Sequence, residues 1–501
     1  MDGSVADVGR PAEMSGATAS TDAATAAPGA RTAGVSWSLL SVLRRMEASV
    51  WFLVLALPVG LYLAVSIPPS QGLDEPAHFY RVYQISQGHL VSERSGPWAG
   101  GVLPDCVMAY MNDNFTTAYT WGSQFSWPAF AAPPTGCDPA STRWQTFVNT
   151  AVYSPVSYLP QVAGVGAARV AGASLPWVFL AGRLAGLLGY LGLVFLALRL
   201  APIGRNVMLV VALLPMALIS ASVYSGDGMT LAYSLVLVAG VLRCWRDPRA
   251  TWRTFALAAV AALALALSKS TYFVLAPLLL LVPARVFPSR RVALAAQLGT
   301  LAVIGLAAAA WYAEVSWVQL SRTDGHLDPH GQIQYILHHP TRYARFVVLT
   351  LFGPLTSGYT WTGFVGWVGW QRNATAGQPA PPILLVVYAF IVLWMAYRSE
   401  LFRPLALSAG TVLRAAWPVA LVAANMVLIV TALYIADSPP AAGVYWNVHG
   451  RYFLPFAAVP VLSLAMITSR LGRSTGSALP FAAGMSVLVA YLLGKVAIYF
   501  Y

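Results

Sequence analysis

Long apolar segments separated by short polar loops restrict the fold of this sequence more than any other feature. Most of the segments run for roughly 15 to 23 residues, close to the ~20 that a helix needs to cross a bilayer. Only 10% of the residues are charged, against about 25% in a soluble domain. We therefore predict an all-α polytopic membrane protein with about eleven transmembrane helices, at residues 50–67, 176–198, 207–223, 229–243, 255–267, 272–286, 292–312, 382–397, 416–435, 453–468 and 479–497.

Arginines concentrate in every second loop between these segments. Loops that hold several arginines face the cytoplasm in most membrane proteins. This alternation predicts a cytoplasmic N-terminus and an extracytoplasmic C-terminus, and it accounts for the net charge of +12 without nucleic-acid binding. The arginines in question are Arg44, Arg45, Arg199, Arg205, Arg243, Arg246, Arg249, Arg253, Arg285, Arg290, Arg291, Arg398, Arg403, Arg414, Arg470 and Arg473.

The chain divides into a tail and a transmembrane domain. Residues 1–45 are predicted to form a disordered cytoplasmic tail, because most of them are Ala, Thr, Gly or Ser and cannot build a core. Residues 46–501 form the domain, with a large extracytoplasmic loop at 68–175 that contains interfacial helices. Cys106 and Cys137 share that loop, where an oxidising compartment would favour a disulfide, although two unpaired thiols are the alternative.

An acidic motif follows the first predicted span. Asp74 and Glu75 precede Pro76, which suits the first turn of a helix, and His78 and Arg81 follow within two turns. Two carboxylates beside a histidine could accept a proton from a sugar hydroxyl or hold a divalent cation such as Mg²⁺ or Mn²⁺. The alternative is ordinary helix capping on a solvated helix.

Two further charged residues lie at predicted outer helix ends. Asp227 could complete a carboxylate cluster with Asp74 and Glu75, or it could simply begin a helix. Lys269 could bind a lipid phosphate as a point charge, or it could be an interfacial lysine whose stem lies along apolar surface.

An arginine also stands where the alternation of charge disfavours it. The segment from His449 through Arg451 to Tyr452 enters the tenth predicted span from outside. An arginine at this boundary calls for an anionic partner. A phosphate or pyrophosphate headgroup is one candidate, and Asp437 or an outer-loop carboxylate is the other.

Four stretches of the chain together resemble a bacterial family of uncharacterised membrane proteins that is grouped with GT-C-type glycosyltransferases. They are 68–88 with LDEPAHFYR at 73–81, 153–160 (YSPVSYLP), 268–272 (SKSTY) and 450–455 (GRYFLP). The resemblance implies a GT-C-like bundle in the bacterial inner membrane with a catalytic acid in the first outer loop. By position that acid is Asp74, with Glu75 beside it and His78 in support.

The resemblance also implies a donor, a polyprenyl-phosphate-linked sugar, and a glycan or lipid acceptor among the membrane lipids. The residues expected to bind substrate or the donor phosphate are Arg81, Asp227, Lys269, His449, Arg451 and Tyr452. A metal, if one is used, would take Asp74, Glu75 and Asp227. One base with direct displacement predicts inversion at the anomeric carbon.

Two other functions fit a chain of this kind: a transporter or flippase of a lipid-linked glycan, and a polymerase or ligase of such glycans. Transporters need ionisable groups near the middle of the membrane, and Arg183 is the main charge inside a predicted span. The transferase hypothesis instead requires Asp74, Lys269 and Arg451 to converge at one outer cavity.

Overall fold

The computed structural model describes residues 41–96, 98–120, 125–320, 328–353, 356–372, 375–398, 408–438, 441–443, 445, 448–467 and 477–501. Most of the predicted tail therefore lies outside the described residues, as do Arg403, Arg470 and Arg473. The chain falls into two units, Met1–Arg45 and Met46–Tyr501. All elements named below belong to the second unit.

The second unit is mostly helical, as predicted. Its α-helices in chain order are α1 Ala48–Ser66, α2 Glu75–Ser86, α3 Asp105–Tyr119, α4 Trp127–Ala131, α5 Val148–Ala151, α6 Leu159–Val170, α7 Leu175–Leu200, α8 Arg205–Ala212, α9 Pro215–Ser222, α10 Asp227–Arg246, α11 Trp252–Ser268, α12 Arg290–Leu320, α13 Pro329–His338, α14 Pro340–Phe352, α15 Ser357–Val365, α16 Pro382–Arg398, α17 Ala409–Asp437, α18 Pro460–Ile467 and α19 Leu479–Phe500. Within the part of the unit that the structure describes, four 3₁₀ helices join them, at Pro155–Tyr158, Ser270–Leu281, Ala284–Val286 and Gly450–Phe456.

Fewer of these helices can cross a membrane than the sequence predicted. Within the described residues, seven are long and apolar enough, and the pair α8 and α9, bent by 61°, adds an eighth if it is one span. Three predicted segments correspond to shorter apolar helices, namely α11, the 3₁₀ helix Ser270–Leu281 and the start of α16. The count of eleven is therefore not confirmed, because apolar composition alone does not show where a helix breaks.

The spanning helices differ in how much of their surface other helices cover. Burial reaches 83% for the apolar window of α10, but only 17% for that of α12 and 28% for that of α17. The open faces of these two helices carry large apolar side chains such as Leu306 and Leu413. Extended apolar surface of this kind suits contact with lipid, so α10 lies at the centre of the helices and α12 and α17 at their edge.

Two small antiparallel sheets correct the all-α prediction. One has the order β1 (Glu93–Ser95), β2 (Trp98–Pro104) and β3 (Thr142–Thr146), and the other pairs β4 (Trp367–Arg372) with β5 (Thr375–Pro379). Gly100 pairs with Thr146, and a Cβ at Gly100 would lie 2.0 Å from the Gln145 carbonyl oxygen. Glycine thus permits the close approach of β2 and β3. The apolar pattern of the sequence does not predict this strand pairing.

Residues of the first sheet, α2, α3 and the start of α7 share one buried apolar cluster. A disulfide joins Cys106 of α3 to Cys137, with their Cα atoms 5.1 Å apart. Within the cluster the aromatic rings of Phe79, Phe179 and Tyr224 pack with centroids 4.8 to 5.0 Å apart. Aromatic packing of this kind fixes α2 against α7, and α2 carries the acidic motif.

Contacts between helix ends divide the spans into two sides. At one end, Glu47 before α1 pairs with Arg199 near the end of α7, and Arg246 at the end of α10 donates to the Ala465 carbonyl oxygen in α18. At the other end, the Tyr501 hydroxyl donates to the Ser66 carbonyl oxygen over 3.1 Å. The acidic motif follows Ser66 directly and lies on this second side.

Candidate functional site

The acidic motif forms a helix start, but not an ordinary cap. Asp74 is the residue before α2, with a left-handed φ of 58°, and its side chain makes no capping bond to the helix. Only a few per cent of non-glycine residues adopt such a φ. The conformation turns the Asp74 carboxylate away from the helix, so simple capping does not explain this residue.

Glu75, the next residue, is buried inside the protein with Arg183. The guanidinium donates to both Glu75 carboxylate oxygens over 2.8 and 2.7 Å, and neither side chain is exposed. The backbone N–H groups of Gly72 and Tyr224 also donate to Glu75, over 3.1 and 3.0 Å. Removing one partner of such a pair leaves a buried charge, at a cost of about 3–5 kcal/mol.

Arg183 also completes the end of the first span. It donates to the carbonyl oxygens of Ala64, Ile67 and Pro68 over 2.8, 2.6 and 3.2 Å. Ala64 lies in the last turn of α1, whose carbonyl groups lack helical partners, and Ile67 and Pro68 follow the helix. Glu75 and Arg183 therefore hold the segment that presents Asp74.

Asp227 and Lys269 lie at the ends of two different helices and form an ion pair. Asp227 is the first residue of α10, where the helix dipole favours a negative charge, and Lys269 follows the last residue of α11. The Lys269 ammonium donates to Asp227 Oδ1. Side-chain exposure is 9% for Lys269 and 2% for Asp227, so neither residue is a solvated interfacial charge.

Arg451 joins the two carboxylates. Its Nη2 donates to Asp74 Oδ2 over 2.5 Å, and its Nε lies 3.4 Å from Asp227 Oδ2. Arg451 Nη1 also donates to the Leu73 carbonyl oxygen over 3.3 Å. Arg451 therefore has two carboxylate partners inside the protein, Asp74 and Asp227. Asp437, the other partner considered from the sequence, instead accepts a hydrogen bond from Tyr445.

The four charges alternate in sign from the rim inwards, and we call Asp74, Arg451, Asp227 and Lys269 the ion cluster. The Asp74 side chain is 30% exposed, against 3% for Arg451. Asp74 is thus the open end of a cluster whose charges sum to zero. The exposed Asn149 on α5 donates to Asp74 Oδ1 over 3.3 Å.

Aromatic rings surround the cationic end of the ion cluster. The Lys269 ammonium lies 5.1 Å from the ring centroids of both Tyr153 and Tyr452, within the range of cation–π attraction. The His78 ring stacks on Tyr153 at 6.0 Å, and its Nδ1 lies 2.7 Å from the Tyr158 hydroxyl. Tyr153 and Tyr158 thereby connect the acidic helix to the lysine.

The histidines near the ion cluster carry no charge at neutral pH. Burial lowers the pKa of His78 to about 3, with Asp74 opposing the shift. Burial and then Arg451 lower the pKa of His449 to about 4. Burial raises the pKa of Asp74, but the attraction of the Arg451 guanidinium and its hydrogen bond outweigh this effect and leave that pKa below its ordinary value. Asp74 is therefore ionised at neutral pH, while both histidines act only through hydrogen bonds and packing.

Not every predicted binding residue joins the ion cluster. Arg81 is buried, and it donates to Gln84 over 2.6 Å and to the carbonyl oxygens of Leu90 and Tyr153 over 2.5 and 3.3 Å. Its guanidinium is occupied by these acceptors, so the structure places it behind Tyr153 and not at the expected phosphate position. His449 lies at the edge, with its ring 6.0 Å from that of Tyr452.

The residues considered for a metal do not fit one. Among the described residues, no group of three or more His, Cys, Asp or Glu side chains is placed to hold a metal ion. Glu75 is taken by Arg183, and Asp74 and Asp227 are taken by Arg451 and Lys269. A divalent cation would have to displace three buried or half-buried cationic partners, so we derive no step through a metal.

Two parts of the site were not recognised from the sequence. Asn149 lies in a polar stretch without a motif, and only the fold brings it to Asp74. The Glu75–Arg183 pair was also missed, although an arginine inside an apolar span is itself a signal that a buried acid must be near.

Comparison with known proteins gives a family but no activity. A sequence model described as "Predicted membrane protein (DUF2142)" matches residues 57–459. That range contains every residue of the ion cluster. No curated protein matches the chain.

Proposed function

This chain belongs to the DUF2142 family of predicted membrane proteins, and we propose that it is a glycosyltransferase of the extracytoplasmic membrane face. It transfers a sugar from a polyprenyl-phosphate donor to a hydroxyl of an envelope glycan or lipid. The proposal also assigns the chain a GT-C-like arrangement and the bacterial inner membrane, as the resemblance described above implies.

One observation carries the proposal: a half-exposed carboxylate stands in front of two buried cations at one end of the spanning helices. Asp74 is open at the rim, while Arg451 and Lys269 lie behind it. A base must reach an incoming hydroxyl, and cations must face the departing phosphate. The ion cluster therefore contains both an accessible base, Asp74, and two cations that could face the phosphate.

The chemistry balances without a further reactant. The acceptor hydroxyl gives its proton to Asp74, and its oxygen attacks the anomeric carbon. The bond from that carbon to the phosphate oxygen breaks, and the electron pair leaves with the polyprenyl phosphate. Arg451 and Lys269 offset the charge that grows on the phosphate, and a single displacement inverts the anomeric centre.

In the proposed mechanism, the donor phosphate replaces Asp74 as the partner of Arg451. Arg451 neutralises Asp74 in the absence of donor, and a paired carboxylate with a lowered pKa is a weak base. A donor phosphate that takes Arg451 releases Asp74. Asp227, almost fully buried beside Lys269, keeps both cations in place during the exchange.

The transport alternative calls for ionisable groups near the middle of the membrane, and Arg183 is the main charge inside a predicted span. Its guanidinium is divided between Glu75 and the carbonyl oxygens at the end of α1, and it has no exposed surface. Reconstitution into vesicles separates the two functions. A transporter moves intact lipid-linked sugar across the bilayer, whereas a transferase cleaves it.

The test in cells compares Asp74→Asn with the parent in a strain that lacks the gene. We expect the variant to leave an envelope glycan incomplete and to accumulate lipid-linked sugar, because an amide cannot accept the proton. Asp113→Asn is the matched control, since Asp113 lies exposed on α3. Full complementation by Asp74→Asn at matched expression would contradict the assignment of Asp74 as the base.

A further inference from the structure

The two oxygens of the Asp74 carboxylate face different surroundings. Oδ2 accepts from Arg451 over 2.5 Å, on the side of the buried cations. Oδ1 accepts from Asn149 over 3.3 Å, at the exposed rim. The carboxylate therefore separates a donor side, where a phosphate would lie, from an outer side that is open to an acceptor.

Helix α5 holds Asn149 in a fixed position at that rim. The Thr150 hydroxyl donates to the Ala77 carbonyl oxygen in α2 over 2.8 Å. The Ser92 hydroxyl donates to the Ala151 carbonyl oxygen over 3.2 Å. The indole N–H of Trp311 donates to the Val152 carbonyl oxygen over 2.9 Å. Because its neighbours are anchored to α2, to α12 and to the segment before β1, the position of Asn149 is set by the fold.

Exposure distinguishes Asn149 from the residues around it. Thr150 and Ala151 are buried on the same short helix, and Phe147 before it is buried as well. Asn149 itself is exposed, and its amide donates to Asp74. An asparagine amide has two donors and a carbonyl acceptor, and the bond to Asp74 uses one donor, so the group retains capacity for a second ligand.

We propose that Asn149 is the residue that positions the acceptor. The nucleophilic hydroxyl of a sugar-like polyol binds between Asn149 and Asp74 Oδ1, which takes its proton while the donor phosphate occupies Arg451 on the opposite side. This inference rests on the proposed transferase function, and it assigns the two substrates to opposite oxygens of one carboxylate.

The proposal predicts that a substitution at Asn149 changes the KM for the acceptor but not the KM for the donor. With purified protein, a polyprenyl-phosphate hexose as donor and an octyl glucoside as acceptor, Asn149→Ala should raise the KM for the acceptor about 3- to 10-fold, the loss of one hydrogen bond. The KM for the donor should stay near the parent value, because the donor phosphate binds Arg451 on the opposite side of the carboxylate. Asn112→Ala, at an exposed site on α3, should change none of these quantities.

A second variant gives a readout that lost packing would not produce. Asn149→Asp places a carboxylate beside Asp74, and a like charge raises the pKa of the base. The acid limb of the pH–rate profile should therefore move to higher pH in Asn149→Asp, and by more than in Asn149→Ala, which only loses a hydrogen bond to the charged carboxylate.

Three results would overturn the proposal in different ways. An unchanged acceptor KM in Asn149→Ala, or an equal rise in both KM values, would remove Asn149 as the acceptor residue and leave the transferase function intact. An acid limb that does not move in Asn149→Asp would do the same. A parent protein that cleaves no polyprenyl-phosphate sugar would overturn both the transferase function and the role of Asn149.

Discussion

Asp74 and Glu75 are adjacent carboxylates with opposite surroundings, because α2 begins between them. The left-handed conformation of Asp74 directs one side chain to the rim, while helical geometry directs the next into the core against Arg183. Burial then decides what each can do. Glu75 is held by four donors, whereas Asp74 is partly exposed and is paired with Arg451, the partner that a phosphate would replace in the proposed function.

His78 makes the stability of the protein depend on pH in a defined direction. Its pKa is about 3 in the folded protein against 6.5 when exposed, so the unfolded chain binds more protons between these values. Stability is therefore lost as the pH falls below 6.5, by up to about 1.4 kcal/mol per pH unit. His78→Gln should lose less thermal stability than the parent between pH 7.5 and pH 5, measured as Tm in detergent.

His338→Gln serves as the control for that measurement, because His338 is exposed at the end of α13. Its Tm should fall with pH as much as that of the parent. His449 has a similarly lowered pKa, so part of the decline should persist in His78→Gln. An identical decline in His78→Gln and the parent would show that His78 is not buried in its neutral form.

The charges of the site could be predicted from the sequence, but their partners could not. An acid, a lysine and an arginine at the outer ends of apolar segments stand out where charge is scarce, and the structure brings Asp74, Lys269 and Arg451 together. Asn149 and Arg81 show the limit. Both are polar residues in a long loop, and only tertiary packing places one at the rim and the other behind Tyr153.

At the scale of elements, the site is built where helices stop and not where they continue. The residues of the ion cluster lie just before α2, at the first turn of α10, just after α11 and in the 3₁₀ helix Gly450–Phe456. Helix ends carry unpaired backbone groups and tolerate polar side chains. The sequence therefore indicated the elements of the site better than it indicated the number of spans, which depends on breaks inside apolar runs.

Gly450 sets the distance between Arg451 and α15. A Cβ at this position would lie 2.1 Å from the Thr360 carbonyl oxygen and 2.2 Å from the Phe364 backbone nitrogen, and neither backbone atom can move alone. Gly450→Ala should therefore displace Arg451 from Asp74, with a loss of about 1–3 kcal/mol of stability and a fall in transferase rate.

Gly494→Ala is the matched control for this substitution. Gly494 is exposed on α19, and a Cβ there would meet no atom within 4 Å. The two variants should differ in Tm and in rate when both are purified in the same detergent. A Gly450→Ala protein with the Tm and rate of the parent would show that the close packing around Arg451 contributes neither to stability nor to activity.

At the scale of the whole molecule, the contacts place one set of helix ends with the site and another set opposite. Ser66, Asp227, Lys269 and Tyr501 lie with the ion cluster. Arg199, Arg246 and Arg285 lie at the other ends, where Arg285 donates to the Cys244 and Trp245 carbonyl oxygens over 2.9 and 2.6 Å. Arginine-rich ends opposite the site agree with a site that faces away from the cytoplasm.

Reporter fusions test this division. If the C-terminus lies outside together with the site, as we propose, alkaline phosphatase fused after Tyr501 should be active and green fluorescent protein at the same place dark. The same reporters inserted after Arg249 should give the reverse pattern. Equal behaviour of a reporter at both positions would contradict the two-sided arrangement.

The most direct measurement is the release of polyprenyl phosphate from a radiolabelled polyprenyl-phosphate sugar by the purified protein. We predict that the parent releases it and passes the label to an acceptor. Asp74→Asn should be about 10²- to 10⁴-fold slower, the usual contribution of a general base, while Asp113→Asn should match the parent. Release by Asp74→Asn at the parent rate, or no cleavage by the parent with any donor sugar, would contradict the assignment.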